Sequence, residues 1–437
     1  MAGVQQDLVF REYYATAEDD AACKQLEVSA SQFQYANGLF RAALVHYQRF
    51  NSKARQYKSG HLVLLCCLPE GDFTVGVVVV AYKQAFVHGR ERKVGYVNDL
   101  RVDERCQGRG IGKALQLEVQ SRAAAAGCEY LYLSVNAENK KARRLYTSLN
   151  WTAASPRQLS VTPLLFPARV PPADAAAAAR AGGARYVDKE AALELTARYY
   201  SARDLGLAKS EWSMIFGSPL YLGTFSCAAA DGSVAALSLW NGSSFTGFQL
   251  VHALLPLRVW ATAFPVLVAA AVAALASLAL KHGFVSFTQL IPTIPRSRAD
   301  LPELTLHRAV VGVAAAAAFL AVSFVYNWAT TRTHARARAF APVGQGPNWQ
   351  PLMRAVRAKV AASARERGYA VLFVNEDARS PFLPTLVGEK GAARRGGEGG
   401  GHAPTTFWQK RLQQPGSELA ENLPLLGGDG CFDPRDF

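Results

Sequence analysis

The chain has 437 residues, half of them hydrophobic, and a formal net charge of +14. That length allows two or more domains with cores of their own, and the positive balance suits an anionic cofactor or an anionic surface. Seven cysteines without a C-x-x-C spacing exclude a disulfide framework and a cysteine metal site and fit a reducing compartment; no recognition motif accompanies the charge, so specific nucleic-acid binding is not expected.

Residues 1–163 read as one α/β unit. No secretory signal or transit peptide is evident, and a first strand opens at Leu8-Val9-Phe10-Arg11-Glu12-Tyr13. Helical stretches are predicted at 17–29 and 32–50, then strands at 61–68, 73–83 and 93–102. The turn Pro69-Glu70-Gly71-Asp72 joins the first two of these strands as a hairpin. The third runs through Asn98, Asp99, Leu100, Arg101 and Val102 toward Gln107-Gly108-Arg109-Gly110-Ile111-Gly112, and a helical pattern from Lys113 ends at Gly127. A glycine-rich turn opening a helix aims several backbone N–H groups at one point, where the helix dipole adds partial positive charge. Arg105, Arg109 and Lys113 bring formal charge to the same place. Such a turn suits a pyrophosphate, yet its spacing fits neither the dinucleotide fingerprint nor the Walker A pattern. A buried strand follows at Tyr130-Leu131-Tyr132-Leu133-Ser134-Val135-Asn136, then a short helix carrying Asn139, Ala142, Leu145 and Tyr146.

The Q-x-x-G-x-G pattern at Gln107, Gly110 and Gly112, followed by N-x-x-N-x-x-A-x-x-L-Y from Asn136 to Tyr146, resembles the two half-motifs of the GCN5-related N-acetyltransferases (GNAT). For the loop alone, a bland strand-to-helix turn is the alternative. The resemblance implies an α/β fold with a mixed sheet that splays open beside the glycine loop and holds acetyl-CoA there. It implies that backbone groups of Leu100 and Val102 pair with the pantetheine arm, one N–H polarising the thioester carbonyl. Gln107, Gly108, Arg109, Gly110, Ile111, Gly112 and Lys113 would hold the pyrophosphate, with Arg105 or Arg109 toward the adenosine phosphate. Asn136 and Asn139 would hydrogen-bond the cofactor or the splayed strand, and no metal is implied. Acetyl transfer also needs a neutral amine and a proton for the departing thiolate. Tyr146 is the expected general acid; the alternative is a buried tyrosine packed on the cofactor helix. Asp99 is the candidate general base, with a cap, a salt bridge or a water relay as alternatives.

Residues 164–184 read as a linker within a stretch punctuated by prolines from Pro156 to Pro172, with a loosely attached alanine-rich helix as the alternative for 173–184. Beyond it the order helix, strand, turn, strand returns at 189–203, 222–228, Asp231-Gly232 and 234–240. It continues through 339–343, Gly344-Gln345-Gly346, a helix at 349–367 and a strand at 371–375. Residues 185–258 and 331–437 are therefore expected to form a second, degenerate GNAT-like domain, a generic α/β repeat being the alternative. Pro347 removes an N–H where a phosphate loop needs donors, and Pro381 and Pro384 interrupt the equivalent of the tyrosine helix. The glycine-rich stretch 391–402 is expected to be disordered. Between the two parts, 259–330 holds two apolar runs, 259–280 and 309–329, without a charged side chain and long enough to span a bilayer. They read as a transmembrane hairpin flanked by Arg258, Lys281, Arg308 and Arg332, or else as a buried helix pair.

Three segments extend the likeness over most of the chain: Leu100-Arg101-Val102 with Gly110-Ile111-Gly112, then Ala236-Leu237-Ser238-Leu239-Trp240-Asn241, and the terminal Phe432-Asp433-Pro434-Arg435-Asp436-Phe437. In these the layout resembles the plant Hookless family of N-acetyltransferases, from which the apolar insert departs. The expectation is an acetyl-CoA-dependent N-acetyltransferase acting on a primary amine of a protein or small molecule, tethered to a membrane with its catalytic domain facing the cytosol. A buried hairpin would instead leave it in the cytoplasm or nucleus. The alternative function is a non-catalytic acyl-CoA-binding regulator or membrane scaffold.

Overall fold

The computed structural model describes residues 8–253, 336–386 and 405–412, apart from short breaks at 31, 36–39, 70–72, 138, 165–166, 169, 244–245, 370, 378–379 and 383–384. The first half runs β1 (Val9–Glu12), α1 (Ala17–Ala30), β2 (Gln32–Tyr35), β3 (Phe40–His46), β4 (His61–Leu68), β5 (Phe73–Val87), β6 (Arg90–Val102), α2 (Ile111–Ala125), β7 (Tyr130–Asn136), α3 (Lys140–Ser148) and β8 (Thr152–Pro163). The second runs α4 (Pro172–Arg180), β9 (Arg185–Val187), α5 (Lys189–Tyr200), α6 (Lys209–Gly217), β10 (Tyr221–Ala228), β11 (Val234–Asn241), β12 (Thr246–Ala253), β13 (Arg336–Gln345), α7 (Trp349–Glu366), β14 (Val371–Asp377) and β15 (Thr405–Arg411). Met1–Gln32, Ala43–Gln249 and Arg332–Phe437 make one compact unit, and Phe33–Ala42 with Leu250–Thr331 a second. The first unit carries a mixed twelve-stranded sheet; β12, β3 and β2 form a small separate sheet.

Strands β4 and β5 are apolar almost throughout because both their faces are covered, and two-sided burial replaces alternation with a continuous hydrophobic run. The period of two still sorts the side chains. Leu62, Leu64, Cys66, Val78 and Val80 pack with Ile111, Leu115 and Val119 of α2. Val63, Leu65, Cys67, Val77 and Val79 pack with Cys23 and Leu26 of α1 and with Phe50. In the second half Leu352, Met353, Val356 and Val360 of α7 join Trp212, Phe216, Leu237 and Phe340 in one core.

The order of the large sheet is β1-β4-β5-β6-β7-β15-β8-β14-β13-β11-β10-β9. Read from either edge it follows the same plan, except that the last strands trade places. β15, the final strand of the second half, lies against β7 from Asn136↔Thr405 to Tyr130↔Arg411, and β8 of the first half lies against β14 from Arg157↔Asp377 to Pro163↔Val371. β8 and β15 also pair with each other at the centre. Each half thus covers a strand edge of the other.

Three local readings of the sequence give way here. The helix expected over 32–50 is replaced by β2 and β3: Gln32-Phe33-Gln34-Tyr35 alternates polar and aromatic residues, a period of two that suits a strand. The proline-punctuated stretch contains β8, whose Pro163 is its last residue and whose Pro156 lies two residues from the bulge at Ala154, places where a missing N–H costs least. Residues 173–184 are not loosely attached at their start. They include α4, packed through Ala178 and through Asp174, which receives Arg354 of α7 at 2.6 and 2.9 Å. Among the described residues no helix is long and apolar enough to cross a membrane. The runs 259–280 and 309–329 lie outside the described residues, as do 391–402 and 432–437.

Because β7 and β8 both complete their pairing with second-half strands, a first-half fragment would leave open edges inside its core sheet. A fragment ending at residue 170 is expected to lack a cooperative thermal transition in circular dichroism and to regain one when co-expressed with residues 171–437. A sharp transition for the short fragment alone would contradict this interdependence.

Candidate functional site

The site begins with one extra residue in β6. Val79 of β5 faces Asn98 and Val77 faces Arg101, so three steps on β6 match two on β5. The bulge carries Asp99 at φ 51, a left-handed conformation that Asp tolerates better than most residues. Before it, β6 pairs in parallel with β7 at Val94↔Tyr130, Gly95↔Leu131 and Tyr96↔Tyr132; beyond Tyr96 that pairing stops. A slot therefore opens between residues 97–102 of β6 and 133–136 of β7. Asp103 N–H donates to Val75 O at 2.9 Å, and by alternation along the strand the backbone groups of Leu100 and Val102 turn the other way, into the slot.

At the mouth of the slot residues 103–110 connect β6 to α2. Gly108 and Gly110 have φ 82 and 86, and Gly110 is the left-handed N-cap of α2. A side chain at either position would meet open space but would force a strained backbone. The first N–H groups of α2, from Ile111, Gly112 and Lys113, have no partner within the helix. Gln107 braces the loop: its Nε2 donates to Val102 O at 3.2 Å, and its Oε1 accepts from Lys141 Nζ at 3.3 Å. Arg105 is turned back onto Asp103 in a bidentate pair, 3.0 Å from Nε and 2.9 Å from Nη2. Arg109 and Lys113 are exposed and make no ion pair among the described residues. These residues fit a pyrophosphate: paired left-handed glycines, a helix N-terminus and two outward cations.

Asn136 ends β7, and its carbonyl accepts from Asn139 N–H at 2.9 Å. Asn139 is the N-cap of α3, its Oδ1 accepting from Ala142 N–H at 3.0 Å. That cap explains the residue without a ligand. Tyr146 is the one buried residue of α3; its ring lies 5.7 Å from that of Trp151, and burial pushes its phenol above the ordinary range. A phenol held protonated can donate a proton but does not lose it readily.

The Asp99 side chain, 9% exposed, receives Arg101 Nη2 at 2.9 Å. Burial alone would raise its carboxyl, but Arg101, Lys53 and His46 outweigh that and hold it at about 2. A carboxylate so stabilised is a weak proton acceptor near neutral pH. The salt bridge weighed for Asp99 is present, and with it a role in placing the bulge.

Two groupings escape a reading of motifs. Glu27, fully buried in α1, accepts from His46 N–H at 3.0 Å and also meets His46 Nδ1. Lys83, fully buried in β5, donates to Tyr132 Oη at 2.5 Å and lies 5.1 to 5.2 Å from the ring centroids of Tyr57, Tyr96 and Tyr132. Tyr96 and Tyr132 are the last residues paired before the slot opens, so this cage closes its inner end. The signal for both is a charged residue at a position where the apolar period of α1 or β5 calls for a hydrophobic one.

The second half repeats the device and then fills it. β13 bulges between Phe340 and Val343 with Ala341 at φ 50, and pairs in parallel with β14 only from Arg336↔Val371 to Ala339↔Val374. Pro342 stands where the first half has Leu100 and has no N–H to offer; its carbonyl accepts from Tyr200 Oη at 2.8 Å. Only residues 346–348 separate β13 from α7, against 103–110 in the first half. A Cβ at Gly344 would lie 2.7 Å from the rings of Trp349 and Phe382, which pack edge to face at 4.8 Å. Among the described residues no group of three or more His, Cys, Asp or Glu side chains could hold a metal ion.

Residues 26–151 match the family model described as the acetyltransferase (GNAT) family. The structure of N-myristoyltransferase from Saccharomyces cerevisiae with bound myristoyl-CoA is similar over 94% of this chain and 80% of that one, with a TM-score of 0.51 and 11% identity. A GCN5-related N-acetyltransferase from Kribbella flavida is similar over 93% of this chain and 71% of that one, at TM-score 0.43 and 11% identity. The ribosomal-protein-S18-alanine N-acetyltransferase of Escherichia coli covers 37% of this chain and 84% of its own, at TM-score 0.25 and 18% identity. No curated protein matches the chain. Residues 26–151 thus match the GNAT family as a domain, within a mixed α/β fold similar to that of the yeast enzyme.

The depressed Asp99 carboxyl has a consequence for stability. Its ionised form favours the folded state; that contribution is complete above about pH 4 and is lost as pH falls through about 2. Asp99→Asn strands the buried Arg101 and should lower the unfolding free energy at pH 7 by about 3 kcal/mol. In urea melts the gap between wild type and variant should narrow from pH 4 downward. A gap that stays constant to the lowest pH would show that the pair contributes nothing.

Proposed function

We propose that the protein is an acyl-CoA-dependent N-acyltransferase that moves an acetyl group to a primary amine of a protein or small molecule, by direct attack on the thioester. The observation that carries this reading is the complete loop 103–110, with Gly108 and Gly110 left-handed, set at the mouth of a slot along which the backbone of Leu100 and Val102 has no pairing with β7. Gln107, Gly108, Arg109, Gly110, Ile111, Gly112 and Lys113 hold the pyrophosphate. Leu100 or Val102 N–H polarises the thioester carbonyl, Tyr146 protonates the departing sulfur, and Asn136 steadies the slot beside it. Asn139 acts through its helix cap and Asp99 by fixing the bulge.

A short acyl group suits the slot. Residues 97–102 extend roughly 20 Å at about 3.3 Å each, a length that a phosphopantetheine arm fills, and the buried ammonium of Lys83 closes the inner end. The yeast enzyme's myristoyl-CoA makes a long acyl chain the competing donor. The second half is read as a degenerate copy that supports the sheet, since Pro342 and the shortened loop leave it without the donors a phosphate or oxyanion needs. The packing of Tyr146 on Trp151 favours a second reading, a non-catalytic acyl-CoA-binding regulator.

Thiol release from acetyl-CoA and from myristoyl-CoA, measured with a panel of amines and peptides, tests the assignment. Wild type should turn over acetyl-CoA, and titration calorimetry should find one site per chain. Gly110→Val, a branched residue in the left-handed region, should lose acetyl-CoA binding. Tyr146→Phe should keep binding and lose roughly 10²-fold in turnover, the usual scale for a general acid. Binding without turnover in wild type would select the regulator, and myristoyl-CoA as the better donor would overturn the acetyl assignment.

The runs 259–280 and 309–329 form, in the same proposal, a membrane hairpin with the catalytic domain on the cytosolic side. Its support is two uncharged segments of spanning length flanked by Arg258, Lys281, Arg308 and Arg332. Alkaline carbonate extraction should leave the protein in the membrane pellet; release to the supernatant would replace the hairpin by a buried helix pair.

A further inference from the structure

A chain of buried polar groups leads from α1 to the β6 bulge. Glu27 receives the His46 backbone N–H on Oε2 at 3.0 Å and meets His46 Nδ1 through Oε1. The His46 side chain is 1% exposed and lies 5.0 Å from the Phe50 ring. Its Nε2 faces Asp99, 3.9 Å from Oδ2. Asp99 is bonded on its other side to Arg101, with Lys53 adding a second positive charge nearby.

This geometry divides the work of the imidazole. A carboxylate bonded to Nδ1 fixes the tautomer with its proton there, so the Nε2 lone pair is left to accept. At 3.9 Å Asp99 is beyond hydrogen-bond reach and does not occupy that lone pair. Asp99 is anionic and weakly basic. It can attract an ammonium to the bulge but holds a proton poorly.

Resting on the acyltransferase reading above, we propose that Glu27 and His46 form the proton-accepting dyad for the acceptor amine, His46 Nε2 taking the proton through one water beside Asp99. The substrate ammonium gives one proton to His46 Nε2. The neutral nitrogen attacks the thioester carbon; the C–N bond forms, the C–S bond breaks, and the leaving thiolate takes the Tyr146 proton. The second nitrogen proton restores Tyr146, and the proton on His46 leaves to solvent. Glu27 is a positioning residue, fixing the tautomer and orientation of the ring.

The test uses the full chain, the primary amine it acetylates fastest, and the O-substituted hydroxylamine of matching carbon skeleton, which is far less basic and neutral at pH 7. For His46→Gln, kcat with the amine should fall roughly 10²-fold, the scale of general base catalysis. With the hydroxylamine ether it should change little, because that acceptor needs no deprotonation before attack. KM for acetyl-CoA and its calorimetric affinity should not move in either case. Glu27→Gln has one acceptor oxygen for the two His46 donors; with that oxygen on the backbone N–H, its amide N–H faces Nδ1 and favours the Nε2–H tautomer, so the variant should show the same dependence on acceptor. Equal losses with both acceptors, or no loss with either, would overturn the dyad. Wild type that releases no thiol with any acceptor would overturn the acyltransferase reading instead.

Discussion

The extra residue that places Asp99 in β6 governs most of what the first half can do. A strand that carries one more residue than its partner must bend, and β6 bends away from β7 after Tyr96. The bend leaves a strand edge unpaired inside the sheet, where backbone donors and acceptors would ordinarily be consumed. A left-handed aspartate is an unfavourable way to make a bulge unless something holds it, and Arg101 holds it at 2.9 Å. The buried charges at this point are thus bound up with the geometry of the slot rather than added beside it.

The slot has two different ends. At its mouth are exposed cations, left-handed glycines and the open N-terminus of α2, all suited to phosphate. At its inner end Lys83 sits among three tyrosine rings, an arrangement that satisfies a buried ammonium through a hydrogen bond and ring faces together. One face of the sheet beside the slot is packed by α2. The other carries the Glu27, His46, Asp99 and Arg101 series, so the polar machinery lies on the α1 side.

The exchange of β8 and β15 joins the two halves into one sheet and changes what the second half is for. A separate domain could lose its ligand site and drift; here β14 and β15 pair with first-half strands and must persist. The second bulge at Ala341 survives as architecture, while Pro342, the short loop and the rings of Trp349 and Phe382 occupy what the first half leaves open. A repeated backbone path without those donors fits the supporting role proposed for the second half.

Local chemistry makes the first-half motifs legible in the amino-acid sequence itself. The glycines that follow Gln107 mark a turn that opens a helix, because glycine alone enters the left-handed region freely, as Gly108 and Gly110 do. The Asn136 to Tyr146 series marks a strand end and a capped helix, and the apolar runs of β4 and β5 mark strands buried on both faces. Those features are set by residues near one another in the chain. Only the tertiary structure decided that 32–50 is extended, that the proline-rich stretch after 152 includes a central strand, and that the two halves trade their last strands. It alone brought Glu27, His46, Asp99 and Arg101 together and drew Arg105 back onto Asp103. Pairing partners far apart in sequence are chosen by which edges are left open and which faces need cover, and neither is written in any short window of residues.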